Sequence, residues 1–334
     1  MSEEGSKSSV LPSYRFFRFI LPVLAIILLS GTLAQYTMTI YYPDPEEPPI
    51  SITPVQTENA AHEEEIGLLN AIIYVSLALI GGFIVLYLLR YGLESILKIL
   101  FLGVIAMASF VMGLWYFSPL IYITFYSLFP STRFLAPFVS YWYSMVLSLL
   151  YGGFAAFIMN SSGKRIQTIR NLFLILFGAQ LGAFMGIHFK LWDTIFALIL
   201  LSLYDIYAVF KGPIRGILEE SENDFTIDES KLNEGGLIAS DEDIENIEGS
   251  RQLFPILPIY ISGEIVIGLG DFVFYALLVG FAIKLGIIVL FIGLAVLLGA
   301  IITYKLLEKR SALPGLPISM FLGVSILLID SFVI

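Results

Sequence analysis

Apolar and polar positions along this chain fall into long blocks rather than short alternations. Nine apolar blocks approach the roughly 20 residues with which a helix crosses a hydrocarbon core. They are Phe16–Tyr36, Ile66–Leu89, Ile96–Phe117, Phe138–Ile158, Ile169–Ile187, Leu191–Phe210, Glu264–Ile283, Gly286–Tyr304 and Leu316–Ile334. The pattern predicts an all-α polytopic membrane protein with nine transmembrane helices. Residues 1–334 then form a single membrane domain, with spans one to six over 16–210, an acidic loop at 212–251 and spans seven to nine over 264–334. Composition agrees. Hydrophobic residues make up 57% of the chain and charged residues 14%, against about 25% charged in a soluble domain. The mean hydropathy is +0.87. Arg15 and Arg18 before the first block resemble the start of a secretion signal. The block is long for such a signal and lacks a small-residue cleavage site, so it is expected to stay as a helix.

Lysine and arginine orient the bundle. Of the 18, only Arg133, Lys190 and Lys284 fall on one side; the other 15 fall opposite. The positive-inside rule places the N-terminus in the cytoplasm and the C-terminus outside. The outer loop Thr37–Glu65 has no Lys or Arg and is acidic and proline-containing. Trp115, Tyr116, Tyr141, Trp142 and Tyr143 fall near the outer ends of spans three and four, where an aromatic belt is expected. The loop 212–251 is acidic and poor in aromatics, a composition expected to be disordered. Leu253–Ser262 is apolar but too short to cross; it suits the interface or an edge strand.

Several chemistries drop out. A net charge of -10 excludes a nucleic-acid surface. There is no cysteine, hence no thiol nucleophile and no cysteine-held metal. His62-Glu63 opens like a zinc-protease motif, but Ile66 stands where the second histidine belongs. His188, beside Lys190, reads as a histidine at a helix end near the interface. No cofactor or metal is expected.

Two carboxylates stand out: Asp205 in the sixth span and Asp271 in the seventh. A charged group inside a bilayer is expensive and marks function. Asp205 lies 15 residues past the outer Lys190, about 22 Å of helix. Asp271 lies 13 residues before the outer Lys284, about 20 Å. The two thus share a depth towards the cytoplasmic half. Two carboxylates in one site share a proton, the arrangement of aspartyl proteolysis. Gly268 and Gly270, just before Asp271, either make room for another backbone or pack helix on helix. Ala312–Ser319, with Pro314 and Pro317, either frees backbone for a substrate strand or is a plain helix start.

Tyr204-Asp205, Gly268-Leu269-Gly270-Asp271 and Pro314-Gly315-Leu316 resemble, in order, the YD, GxGD and PAL motifs of presenilins and signal peptide peptidases. Gly268–Gly280, Ala312–Ser319 and Lys211-Gly212-Pro213 are similar to presenilins in particular. Signal peptide peptidases run with the opposite topology, so orientation also favours presenilin. The resemblance implies an intramembrane aspartyl endopeptidase with Asp205 and Asp271 as the catalytic pair. It implies substrate contact by Tyr204, Gly268, Leu269, Gly270, Pro314, Gly315 and Leu316. Gly315 departs from the family's alanine, a change expected to loosen substrate positioning. The implied substrates are transmembrane helices with their N-terminus outside. Membrane lipid is the other implied contact, a homo-oligomer stays open, and obligate partner subunits are not implied. For a microbial homologue the place is the cell membrane. The alternative is an ion or solute transporter whose path would use the aspartates with Gln180, Glu264 and Asp330.

Overall fold

The computed structural model describes residues 12–44, 49–56, 62–161, 163–210, 259–262, 265–307 and 315–333. Among these, nine α-helices and one hairpin follow in order: α1 (Pro12–Tyr41), α2 (Glu63–Arg90), α3 (Glu94–Leu128), α4 (Ala136–Asn160), α5 (Lys164–His188), α6 (Leu191–Phe210), β1 (Ile259–Ser262), β2 (Ile265–Gly268), α7 (Leu269–Ala282), α8 (Ile288–Leu307) and α9 (Pro317–Val333). The acidic loop 212–251, Lys211–Pro213, Glu264 and Pro314 lie outside the described residues. Six helices, α1 to α5 and α8, are long and apolar enough to cross a bilayer. The protein is a multi-pass integral membrane protein.

Two elements depart from the apolar pattern. The third span was expected to stop at Phe117, before Ser118-Pro119, but α3 runs through Pro119 to Leu128. Proline removes one backbone donor, yet in lipid the residues beyond have no water to bond and continue to turn. The seventh span was expected to begin at Glu264. Instead Ile265–Gly268 is a strand, paired antiparallel to β1 with Ile259 opposite Gly268 and Ile261 opposite Val266. The β-branched run Ile265-Val266-Ile267 suits a pleated strand. Gly268, with φ -70 and ψ 146, is the extended cap from which α7 starts. Part of the short apolar stretch ending at Ser262 is therefore the partner strand β1.

α5 is the axis of the core. Gly178, Gly182 and Gly186, one turn apart, form a groove for α7. A methyl group on Gly178 would stand 2.9 Å from Phe272 Cβ, and one on Gly182 would collide with Ala276 and the Val273 carbonyl. Gly280 returns the contact: a Cβ there would stand 2.9 Å from Ala183 Cα. α1 covers this pair through the fully buried Val23 and Ile26, and α8 and α9 close the other side. The α3–α4 hairpin packs against α5 from outside, and α2 leans on α6.

At the end where α5 turns into α6, a polar cluster ties four elements. Asn70 of α2 grips one residue of the preceding loop by both backbone groups: Val55 N donates to its Oδ1 at 2.8 Å and its Nδ2 donates to Val55 O at 2.9 Å. The same Nδ2 reaches Asp193 of α6 at 2.7 Å. Lys190 pairs with Glu63 at 2.8 Å, and Lys284 donates to Phe189 O at 2.7 Å. His188 ends α5, as expected. It is buried, with Nδ1 2.7 Å from Phe184 O and Nε2 3.1 Å from Tyr42 Oη. Tyr116 likewise turns inward and donates to Gln180 O at 3.1 Å, and Trp115 stacks on Tyr41 at 4.3 Å. Of the expected belt, Tyr141, Trp142 and Tyr143 face outward. Aromatic character alone does not tell a belt from an inter-helix contact.

Candidate active site

Asp205 and Asp271 stand on different helices, α6 and α7, and meet at one short piece of backbone. Asp271 is the third residue of α7. From there its carboxylate reaches back to the Gly268 amide, which donates to it, the geometry by which a side chain in the first turn serves an orphan donor. Asp205 lies in the penultimate turn of α6. Its Oδ2 accepts from Leu316 N at 3.3 Å, and the Gly315 amide donates to the same carboxylate. The two carboxylates are close enough for their charges to repel.

Gly315–Leu316 is the bent segment just before α9, whose first residue is Pro317. The helix start expected from the sequence is present, and the amides ahead of it bond a side chain of α6. Leu316 O accepts the first turn's bond from Met320 N at 3.0 Å, while the amides of Gly315 and Leu316 point to Asp205. Gly315 faces Asp271. A Cβ there would lie 2.7 Å from Asp271 Oδ2, 3.1 Å from Cγ and 3.2 Å from Oδ1. Tyr275, one helical turn beyond Asp271, donates its hydroxyl to Gly315 O at 3.0 Å. The segment is therefore held on both faces: α7 holds the carbonyl of Gly315 and α6 holds the two amides.

The other expected contact residues separate. Tyr204 turns its phenol towards α2, where a Cβ on Gly82 would lie 3.1 Å from the Tyr204 oxygen. Leu269 packs with the Phe173–Phe177 cluster of α5. Added Cβ atoms at Gly268 and Gly270 meet nothing nearer than 3.9 Å. These two glycines are thus not the ones that pack helix on helix; that task falls to Gly178, Gly182, Gly186 and Gly280. Among the described residues, no group of three His, Asp or Glu side chains converges as a metal site.

The presenilin family model matches residues 238–334, which include β1, β2, α7, α8 and α9. The whole chain also superposes on a solved presenilin-family intramembrane aspartate protease, with a TM-score of 0.53 over 96% of this chain and 99% of that one. Sequence identity there is 14%, so it is the fold that is shared. Over residues 238–334 the chain is thus similar to presenilins. Presenilin-B of Dictyostelium discoideum is 28% identical over 162 residues, 47% of this chain and 29% of the relative. A presenilin-like protein of Arabidopsis thaliana is 40% identical over 82 residues, 24% of this chain and 21% of the relative. The matched part thus spans less than a third of either curated relative.

Gly315 also has a steric role that its sequence did not suggest. The expectation was a lost methyl group and a looser loop. The structure adds that the loop backbone is pressed against Asp271, in space that an alanine side chain would fill. Tyr275 was missed from sequence. Its signal was there: it follows Asp271 by four residues and so shares its helix face.

Proposed function

We propose that this chain is a presenilin-family intramembrane aspartyl endopeptidase that cleaves transmembrane helices of other proteins. The observation that supports this best is the convergence of Asp205 and Asp271, from different helices, on the backbone of Gly315–Leu316 inside a membrane bundle. The two aspartates are the catalytic pair. One, ionised, takes a proton from water as the oxygen attacks the scissile carbonyl. The other, protonated, donates to the carbonyl oxygen. The resulting diol collapses as the nitrogen of the leaving strand takes a proton back from the pair.

A helical substrate hides its peptide bonds and must unwind to be cut. The backbone of β2 offers an extended partner near Asp271, whereas the amides and carbonyls of Gly315–Leu316 are held by Asp205, Tyr275 and Met320. Gly268, Gly270, Gly315, Leu316 and, from the resemblance, Pro314 are the substrate-contact positions. Tyr204 would act at the α2 side, and Leu269 mainly by packing. The N-terminus is cytoplasmic by the 15-to-3 distribution of cations. The resemblance then calls for substrates with their N-terminus outside. The transporter alternative gains nothing from Gln180, which is bound by Tyr151 at 2.7 Å on its side chain and by Tyr116 at 3.1 Å on its carbonyl.

The test is cleavage of a transmembrane peptide by the purified chain in detergent. Asp205→Asn and Asp271→Asn should each reduce cleavage to background while gel filtration and helical content stay unchanged. Wild-type cleavage by either variant would falsify the pair.

A further inference from the structure

Gln167, Arg170 and Asn171 form a polar patch on α5, neighbours on one helical face. Arg170 is buried at 6% exposure and donates to Gln167 Oε1. Gln167 Nε2 donates to Asn171 Oδ1 at 2.8 Å. Asn171 then grips a single residue of β1: its Nδ2 donates to Ile261 O at 2.6 Å, and Ile261 N donates to its Oδ1 at 3.2 Å. A guanidinium only donates. Gln167 must therefore turn its oxygen to Arg170 and its amino group to Asn171. Asn171 in turn presents its oxygen to Gln167, which leaves its amino group for the carbonyl of Ile261. The buried cation fixes the orientation of both amides.

This arrangement decides which edge of the hairpin is open. Both backbone groups of Ile261 point at Asn171, so neither bonds β2. In an antiparallel ladder, outward-facing residues lie opposite one another. Ile261 is opposite Val266, and Ile259 is opposite Gly268. The outward groups of β2 therefore belong to Val266 and Gly268; Asp271 takes the Gly268 amide, so among the described residues the open pair is that of Val266. An unpaired edge is a template for another strand, and two strands alone hold together poorly without a support.

We infer that Asn171, oriented by Gln167 and Arg170, is a positioning residue that closes the β1 edge. An extended substrate segment then pairs on the β2 edge alone, in one register against Asp271. The register rests on the protease function proposed above; the clamp on the hairpin does not.

The test compares full-length wild type, Asn171→Leu and Gln167→Leu in detergent with one transmembrane peptide. Product masses report the register, and amide hydrogen exchange over residues 259–268 reports the clamp. Asn171→Leu should speed exchange at the Ile261 amide by about tenfold, the worth of a hydrogen bond of that kind. It should also spread cleavage over neighbouring bonds, with kcat at the main bond falling more than KM rises. Gln167→Leu should do the same to a smaller degree, and it decides the matter by both readouts where Asn171→Leu does not fold. A residue that only supported the fold would lower the yield and leave the product masses alone. Wild-type product masses in a folded variant with faster exchange overturn the register. Wild-type exchange in both variants overturns the clamp. A wild-type chain that cleaves nothing overturns the protease function and the register with it, while exchange still decides the clamp.

Discussion

Gly315 and the carboxylate of Asp271 face each other with no room for a side chain between them: a Cβ on Gly315 would stand 2.7 Å from Asp271 Oδ2. Gly315→Ala should therefore turn the carboxylate away from its rotamer. Such a displacement costs about 0.5–1.5 kcal/mol, or roughly a three- to tenfold loss of kcat. The thermal midpoint should hardly move, because the carboxylate rather than the core yields. Peptide cleavage kinetics check this. An unchanged kcat would mean that the loop, not Asp271, gives way.

Tyr275→Phe removes only the hydroxyl that bonds Gly315 O. The ring stays in its buried place, and a carbonyl loses its donor. A buried group left unpaired costs about 1–3 kcal/mol. The variant should unfold at lower temperature and cleave with a reduced kcat, while Asp205 keeps its contact with the Leu316 amide. Differential scanning of both proteins, beside their cleavage rates, measures this. Equal midpoints and equal rates would leave Tyr275 no role in holding the segment.

Lys284 lies in the turn after α7, between the Phe189 carbonyl at 2.7 Å and the face of the Phe281 ring at 4.7 Å. Burial pushes its ammonium down to about 7 from an ordinary 10.5, with the charge of Asp193 opposing the fall. Between those values the folded chain binds fewer protons than the unfolded one, so stability rises with pH. Below about 7 both states are protonated and the full burial penalty applies. The thermal midpoint of wild type should climb from pH 7 towards pH 10, and Lys284→Met should flatten that climb. Parallel curves for the two proteins would assign the slope to other groups.

The apolar blocks were legible because a bilayer imposes a length on every helix that crosses it. Asp205 and Asp271 were legible because a carboxylate in such a block is rare. The hairpin was not. Ile265-Val266-Ile267 is as apolar as the helix that follows, and hydropathy is blind to the change of backbone at Gly268. Gln167 and Asn171 carried no signal in the sequence, and Arg170 counted only as one of 15 cations on one side. Position along a span gives depth, not which way a side chain faces. The role of Gly315 depended on a neighbour from another helix, and no local pattern holds that information.

The shortness of α7 has a last consequence. Its 14 residues rise about 21 Å, well under the roughly 30 Å of a hydrocarbon core. Extended chain makes up the rest, and the outward backbone groups of β2 are tolerated at that depth only against protein or solvent. Hydrolysis inside oil has to be supplied with its second reactant. On the protease function proposed above, the shortfall that keeps β2 away from lipid would also let water reach the level of Asp271, and a substrate that docks there would narrow that supply.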